Sequence, residues 1–96
     1  MHKAVFLDRD GVINEDYGYV YEIDRFSVIP GAFEAMRSFQ ENGFILVVVT
    51  NQAGVGRGYY NQKDVVQLHD WINCELNKNG AYIDEFYYST SFLPLN

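Results

Sequence analysis

The sequence predicts an α/β fold in which strands and helices alternate as βαβαβ and the strands form one parallel sheet. Two segments, residues 4–7 and 44–49, are apolar throughout and contain β-branched residues. Such runs are typical of strands that are buried on both faces of a parallel sheet. Apolar residues at helical spacing lie between and after these runs. We therefore predict a partial doubly wound, Rossmann-like parallel sheet with right-handed crossovers and helices on its faces.

The first helix is predicted between these two strands. Pro30 and Gly31 stand where a helix begins, and Gly43 stands where a terminating glycine belongs. The apolar residues between them recur at helical spacing and predict one buried face: Phe33, Met36 and Phe39.

A second helix is predicted over residues 61–79. Asn61 is a suitable N-cap, Asp64 favours the positive end of the helix dipole, and Gly80 ends the helix. The apolar stripe of this helix consists of Val65, Leu68, Ile72 and Leu76. Residues 86–88 then predict a third strand.

Several remaining side chains are interpreted without a function. His2 and His69 lack the spacing of metal ligands, and both are expected at the surface. Cys74 is expected as a small core or boundary residue within the second helix. Trp71 and the tyrosines near the end of the chain are expected to pack rather than bind.

Composition limits the classes of function. The chain has 96 residues, which is one small domain or part of one, and 48% of them are hydrophobic. The net charge of −6 argues against nucleic acid as a partner. The one cysteine excludes a disulfide framework and favours the reducing cytoplasm. No apolar run is long enough to cross a membrane, and the amino terminus lacks the form of a signal peptide.

Two carboxylates end the first strand. Side chains alternate along a strand, so Asp8 and Asp10 are expected to point the same way and Arg9 the other way. Two such acids can hold Mg²⁺ between them, or one can attack an electrophile while the other moves a proton. The alternative is an Asp-x-Asp-Gly turn that only ends the strand.

Polar residues also follow the second strand. Thr50, Asn51 and Gln52 precede a glycine-rich loop, residues 53–58, which contains Arg57. A hydroxyl, an amide and an arginine beside backbone N–H groups suit a phosphate. The glycine spacing does not fit a dinucleotide-binding or Walker motif, so a structural turn stays open, as does a solvated charge at Arg57. Ligands of such sheets lie at the carboxyl ends of the strands, where both polar clusters meet.

These residues carry a resemblance. Residues 6–11 (FLDRDG) and 49–52 (VTNQ) resemble the first two motifs of the haloacid dehalogenase superfamily of phosphatases. Within that superfamily, residues 14–20 (NEDYGYV) and 54–58 (GVGRG) resemble the bacterial D-glycero-D-manno-heptose 1,7-bisphosphate phosphatases. Histidinol-phosphate phosphatases share Asp-Arg-Asp-Gly and Thr-Asn-Gln and remain an alternative. The resemblance extends to about Tyr88.

The resemblance implies a role for each matching residue. Asp8 would be the nucleophile that forms an aspartyl-phosphate and would also bind Mg²⁺. Asp10 would act as general acid and base, and its backbone carbonyl would bind the metal. Thr50 would donate a hydrogen bond to the phosphoryl group. The residues expected to bind the phosphorylated sugar are Arg9, Asp16, Tyr17, Gly18, Tyr19, Asn51, Gln52, Ala53 and Arg57. A compact loop packed by aromatic rings is the alternative for residues 16–19.

The sequence also departs from the family it resembles. That family has a Cys- and His-rich zinc loop after the third strand, whereas residues 89–94 (STSFLP) contain no such ligand, so we expect no zinc. Its later basic residue and later acidic loop have no counterpart here. We therefore expect residues 1–96 to be the amino-terminal portion of a single phosphatase domain. A catalytically silent half-domain is the alternative, and residues 4–7 would then form an open sheet edge suited to self-association.

Overall fold

The computed structural model describes residues 3–90. Three parallel strands form one sheet in the order β1-β2-β3, with β1 spanning Lys3–Leu7, β2 Phe44–Asn51 and β3 Glu85–Ser89. Helix α1 (Ala32–Glu41) joins β1 to β2, and helix α3 (Gln62–Asn77) joins β2 to β3. A single helical turn, α2 (Ala53–Gly56), precedes α3, and a 3₁₀ turn lies at Ile23–Arg25. The predicted βαβαβ order and parallel sheet are confirmed.

The register of the sheet places its apolar side chains on two faces. Leu7 pairs with Val48, and Val48 pairs with Phe86, so these residues share one face. That face packs against both helices and forms the core, which also contains Val5, Ile13, Phe33, Met36, Leu46, Leu68, Ile72, Leu76 and Ile83.

The opposite face of the sheet differs from the prediction. Its side chains Phe6, Val49 and Tyr87 are 70%, 48% and 58% exposed. Within residues 3–90, α1 and α3 both pack on the core face, so the expectation that the strands are buried on both faces does not hold for this part of the chain, whereas the predicted α/β class does. Apolar runs alone do not distinguish a covered face from an uncovered one.

Helix α1 has the ends that the sequence predicts. Gly31, its N-cap residue, has φ of 87°, and Gly43, beyond its C-terminus, has φ of 89°. Both values lie in the left-handed region that glycine adopts without steric cost. Phe33 and Met36 are buried on the core side, and Phe39 stacks edge-on against the Phe44 ring.

Helix α3 begins with a capping box. The Asn61 side chain accepts a hydrogen bond from the Asp64 N–H, and the Asp64 carboxylate accepts one from the Asn61 N–H. This reciprocal pair satisfies two N–H groups that a helix start leaves without partners. The predicted start and apolar stripe of the helix are confirmed.

Two side chains of α3 differ in burial from the prediction. His69 is 4% exposed, not at the surface, whereas Cys74 is exposed, not in the core or at its boundary. Trp71 packs edge-on against Phe26, as expected.

Two further expectations fall on residues that the structure does not describe. His2 lies outside residues 3–90, and so do residues 91–94 of the segment expected to lack zinc ligands. Across residues 3–90, none of the helices combines the length and the apolar character that membrane crossing requires.

Candidate active site

The carboxyl ends of β1 and β2 bring the two predicted polar clusters together. Asp8 directly follows β1, is exposed, and accepts a hydrogen bond at Oδ1 from the Arg9 N–H at 2.8 Å. Thr50 lies near the end of β2 and is buried, and Asn51 at the last position of that strand is exposed. An exposed carboxylate therefore lies at the strand ends, where a ligand has access to it.

The two oxygens of the Asp10 carboxylate have different surroundings. Oδ1 accepts hydrogen bonds from Arg9 Nε at 3.0 Å, Arg9 Nη2 at 2.7 Å and Asn14 Nδ2 at 3.0 Å. Oδ2 accepts a hydrogen bond from Gln52 Nε2 at 3.2 Å. Because Oδ1 is occupied by strong charged donors, Oδ2 is the oxygen better placed to exchange a proton.

Gln52 connects the two strand ends. Its Nε2 group donates to Asp10 Oδ2 and to Thr50 Oγ1, at 3.2 and 2.9 Å, and its Oε1 accepts from the Tyr60 hydroxyl at 2.7 Å. Asp10 fixes which end of the amide faces it, because an ionised carboxylate only accepts hydrogen bonds, and this leaves Gln52 Oε1 for the Tyr60 hydroxyl. Gln52 is itself buried.

The Tyr60 hydroxyl is held in its neutral form. Burial raises the pKa of Tyr60 above its ordinary value of 10.0, and the nearby Asp10 charge raises the pKa further, against the opposing effect of Arg9. The ring stacks on Tyr21 with centroids 4.6 Å apart.

The Arg9 side chain, which the resemblance placed among the substrate-binding residues, lies inside the protein. Its side chain is 0% exposed, and its guanidinium donates to Asp10, to the Val20 carbonyl oxygen at 2.5 Å and toward His69 Nε2 at 3.3 Å. Arg9 lies beyond the end of β1, and its guanidinium turns back to pair with the neighbouring Asp10, so strict strand alternation, which would place the two side chains on opposite sides, does not hold here.

Residues 14–20 fold back on themselves. Asp16 Oδ1 accepts from the Gly18 N–H at 2.9 Å, and Gly18 has φ of 88°. The Tyr17 hydroxyl donates to the Arg25 carbonyl oxygen, and the Tyr19 ring stacks edge-on against Tyr59. Both Tyr17 and Tyr19 remain about half exposed. The compact aromatic loop that the sequence left open is thus present, and it still offers tyrosine rings to a ligand.

The glycine-rich segment forms a helical turn, not an open phosphate cradle. Ala53, partly buried, begins α2, and Arg57 ends it and is exposed. Four backbone N–H groups donate to carbonyl oxygens of residues 52–55, and the donors are Val55, Arg57, Gly58 and Tyr59. These groups are therefore turned away from a ligand.

Gly54 is required by packing. A Cβ atom at this position would lie 2.0 Å from Tyr60 Cε1 and 2.9 Å from Tyr19 Cδ1. The missing side chain lets α2 lie directly against both tyrosine rings, which holds Tyr60 beside Gln52.

The described residues offer part of a magnesium site. Asp8 supplies an exposed carboxylate of the kind that Mg²⁺ prefers, but Asp10 Oδ1 is engaged by Arg9 and Asn14. Among residues 3–90, no three His, Cys, Asp or Glu side chains form a group that would hold a metal ion. The available ligand groups would contact a magnesium ion on one side and would not surround it.

The sequence interpretation missed His69 and Tyr60. The spacing contained a signal for His69, because it follows Val65 by four residues and precedes Ile72 by three, which places it on the buried face of α3. Tyr60 gave no comparable signal, since its position depends on the turn of α2.

A parallel α/β sheet with an Asp pair after β1 and Thr-Asn-Gln at the end of β2 is the arrangement that the resemblance to haloacid-dehalogenase-like phosphatases predicts. Comparison of sequences supports this class. The chain is 47% identical over 88 residues to the D-glycero-beta-D-manno-heptose-1,7-bisphosphate 7-phosphatase of Haemophilus influenzae, covering 92% of this chain and 48% of that protein. It is 48% identical over 87 residues to the D-glycero-alpha-D-manno-heptose-1,7-bisphosphate 7-phosphatase of Burkholderia mallei, covering 91% and 46%. No profile of a protein family matches.

Solved structures of heptose bisphosphate phosphatases also resemble this chain. The crystal structure of the D,D-heptose 1,7-bisphosphate phosphatase from B. bronchiseptica, complexed with magnesium and phosphate, aligns with a TM-score of 0.88 at 29% identity, over 93% of this chain and 50% of that one. The enzyme from Burkholderia thailandensis aligns with a TM-score of 0.69 at 35% identity, over 88% and 52%. The chain is thus similar to the heptose-1,7-bisphosphate phosphatases, and it spans about half the length of the curated relatives it matches.

Proposed function

We propose that this chain carries the nucleophile-bearing part of a magnesium-dependent phosphatase that acts on a phosphorylated sugar, D-glycero-D-manno-heptose 1,7-bisphosphate. The observation that carries the proposal is the Gln52 bridge, which joins Asp10 to Thr50 and so unites two separate sequence motifs in one site. Homology to phosphatases named for this substrate supports it. On this proposal, residues 1–96 correspond to the amino-terminal portion of a single phosphatase domain.

The proposed reaction has two steps. An Asp8 carboxylate oxygen attacks the phosphorus, the bond from phosphorus to the sugar oxygen breaks, and Asp10 gives its proton to that leaving oxygen. A water molecule then attacks the aspartyl-phosphate, Asp10 accepts the proton of the water, and inorganic phosphate leaves with Asp8 restored. Asp10 Oδ2 is the atom that carries the proton, because Oδ1 is occupied by Arg9 and Asn14. Thr50 donates its hydroxyl to the phosphoryl group.

Magnesium, when bound, would neutralise the charge that develops on the phosphoryl oxygens. Asp8 and the backbone carbonyl of Asp10 would hold it. The residues proposed to contact the sugar or its second phosphate surround this point: Asp16, Tyr17, Gly18, Tyr19, Asn51, Gln52, Ala53 and Arg57. A cytoplasmic location suits a phosphorylated substrate and an exposed thiol at Cys74.

A second candidate is a catalytically silent half-domain that associates with itself through the open edge of β1. The observation that favours it is the absence, among residues 3–90, of a third acidic or imidazole ligand beside Asp8 and Asp10. Mg²⁺ demands near-octahedral coordination, and two ligand groups leave it weakly held.

The test measures phosphate release from both anomers of the heptose bisphosphate and from histidinol phosphate, in the presence of magnesium. We expect turnover of a heptose bisphosphate that Asp8→Asn abolishes while the circular dichroism spectrum stays unchanged. The matched control is Asp70→Asn, which removes an exposed carboxylate from the middle of α3 and leaves turnover intact.

Each other outcome contradicts a stated part of the proposal. An Asp8→Asn variant that hydrolyses substrate at the parent rate excludes Asp8 as nucleophile. Preference for histidinol phosphate overturns the substrate assignment. No turnover with any of the three substrates supports the silent half-domain.

A further inference from the structure

We propose that His69 is a positioning residue for Asp10, acting through the guanidinium of Arg9. His69 lies on α3, far along the chain from both polar clusters, yet its Nε2 atom is 3.3 Å from Arg9 Nη1. The proposal rests on the proposed function only in treating Asp10 as the acid and base.

The geometry assigns the roles of the two groups in this contact. A guanidinium stays protonated in proteins and only donates hydrogen bonds, so His69 Nε2 must accept. The imidazole is therefore neutral, with its proton on Nδ1. Burial and then the positive charge of Arg9 lower the pKa of His69 from 6.5 to about 3, and the Asp10 charge opposes this shift. The lowered pKa favours the same neutral form of the imidazole.

The His69 ring is itself fixed in place by β3. It stacks on Phe86 with centroids 4.2 Å apart and an interplanar angle of 13°, and it meets Tyr88 edge-on at 5.9 Å. His69 is 4% exposed, so water does not replace its Nε2 acceptor without rearrangement. The ring is thus a rigid acceptor, built from α3 and β3, that faces the guanidinium.

The Arg9 guanidinium transmits this position to Asp10. Nη1 faces His69, Nη2 donates to the Val20 carbonyl oxygen and to Asp10 Oδ1, and Nε donates to the same Oδ1. A planar guanidinium cannot turn one edge without turning the others. Holding Nη1 therefore fixes the plane that orients the Asp10 carboxylate and leaves Oδ2 directed toward Gln52.

Loss of the His69 acceptor has a defined consequence. Nη1 would lose this partner in a fully buried cation, and a buried charge without its partners forces rearrangement or entry of water. Rotation of the guanidinium toward a new acceptor would turn the Asp10 carboxylate. The proposed proton transfer depends on that orientation, whereas binding of the sugar does not.

The test compares two substitutions at one position. His69→Leu keeps apolar bulk and removes the acceptor, and His69→Gln keeps a neutral acceptor that reaches toward Arg9. We expect His69→Leu to lower kcat on the order of tenfold with KM unchanged, as small misplacements at active sites do. His69→Gln should restore kcat to within about twofold of the parent.

A spectroscopic readout does not depend on turnover. In the parent, nitrogen NMR should show the Nδ1–H tautomer of His69 across neutral pH and slowly exchanging Arg9 Nε–H and Nη–H signals. These Arg9 signals should broaden or vanish in His69→Leu and persist in His69→Gln. This holds even if the chain hydrolyses no substrate, so failure of the proposed function is distinguishable from failure of this inference.

Three results would overturn the inference. One is an Nε2–H tautomer in the parent. Another is an unchanged set of Arg9 signals in His69→Leu. The third is an equal loss of kcat in the Leu and Gln variants. If His69→Leu does not fold, the tautomer of the parent and the Gln variant still decide the outcome.

Discussion

At the scale of single residues, the Asp10 carboxylate is held from two sides, by two residues near it in sequence and by one from the end of β2. Arg9 and Asn14 engage Oδ1, and Gln52 engages Oδ2. His69 and Tyr60 stand behind these groups and contact Asp10 only through them. The carboxylate is therefore oriented before any ligand binds, which is the condition for efficient proton transfer.

Removing the Tyr60 hydroxyl should destabilise the fold. Tyr60→Phe leaves the buried Gln52 Oε1 without the hydroxyl that donates to it, and an acceptor left in that state costs about 1–3 kcal/mol of unfolding free energy. The matched control is Tyr59→Phe, because Tyr59 is the preceding residue and its side chain is exposed. Urea unfolding of the three proteins checks this, and equal effects at both positions would contradict it.

His69 should make the stability depend on acid. Its pKa is about 3 in the folded chain and 6.5 as the ordinary value, so the unfolded chain binds a proton first as the pH falls. The contribution of this group is fully present above pH 6.5 and is lost progressively as the pH falls toward 3. His69→Gln should show a smaller loss of unfolding free energy than the parent over that interval, measured by urea unfolding at several pH values. Parallel curves for the two proteins would exclude a buried neutral imidazole.

At the scale of elements, the N-cap of α3 should contribute measurably to the unfolding free energy. Asn61→Ala removes the side chain that accepts from the Asp64 N–H and should lower the unfolding free energy by about 1 kcal/mol. Asn77→Ala, at the last residue of the same helix, is the control and should leave stability unchanged or slightly raised, because alanine favours helices. Thermal unfolding of both variants measures the difference.

The helices and strands could be predicted from the sequence because their signals are local. Gly31, Gly43 and Asn61 mark helix ends through backbone geometry and capping that neighbouring residues decide. The α2 turn could not be predicted, because its glycine pattern is equally compatible with an open loop. Its form depends on Gly54 packing against two tyrosine rings, which is a tertiary contact.

The candidate site could be predicted in part for the same reason. Asp8, Asp10 and Thr50 follow from strand ends, which a single sequence indicates. The pairing of Arg9 with Asp10 could not be predicted from alternation, and the burial of Arg9, with its contacts to Val20 and His69, depends on how α3 packs on the sheet. Contacts between residues 60 positions apart leave no local pattern.

At the scale of the whole molecule, the sheet has one covered face and one uncovered face in the part of the chain that the structure describes. Phe6, Val49 and Tyr87 lie on the uncovered face, on three adjacent strands, and each of these apolar side chains is exposed. Among residues 3–90, β1 pairs only with β2, so its other edge carries no strand. Apolar surfaces and open strand edges of this kind favour association with another protein surface.

We therefore expect the 96-residue chain to self-associate, with the sedimentation coefficient rising with protein concentration. Phe6→Lys and Tyr87→Lys each place a charge on the uncovered face, which costs free energy to bury in an interface, and each should shift the chain toward the monomer. Val66→Lys is the control, because Val66 is also exposed and apolar but lies on α3, away from this face. A parent that sediments as a monomer at every concentration would contradict the expectation, and an equal effect of Val66→Lys would place the association elsewhere. If both face variants become monomeric while Val66→Lys stays associated, the uncovered face of the sheet is the surface through which the copies meet.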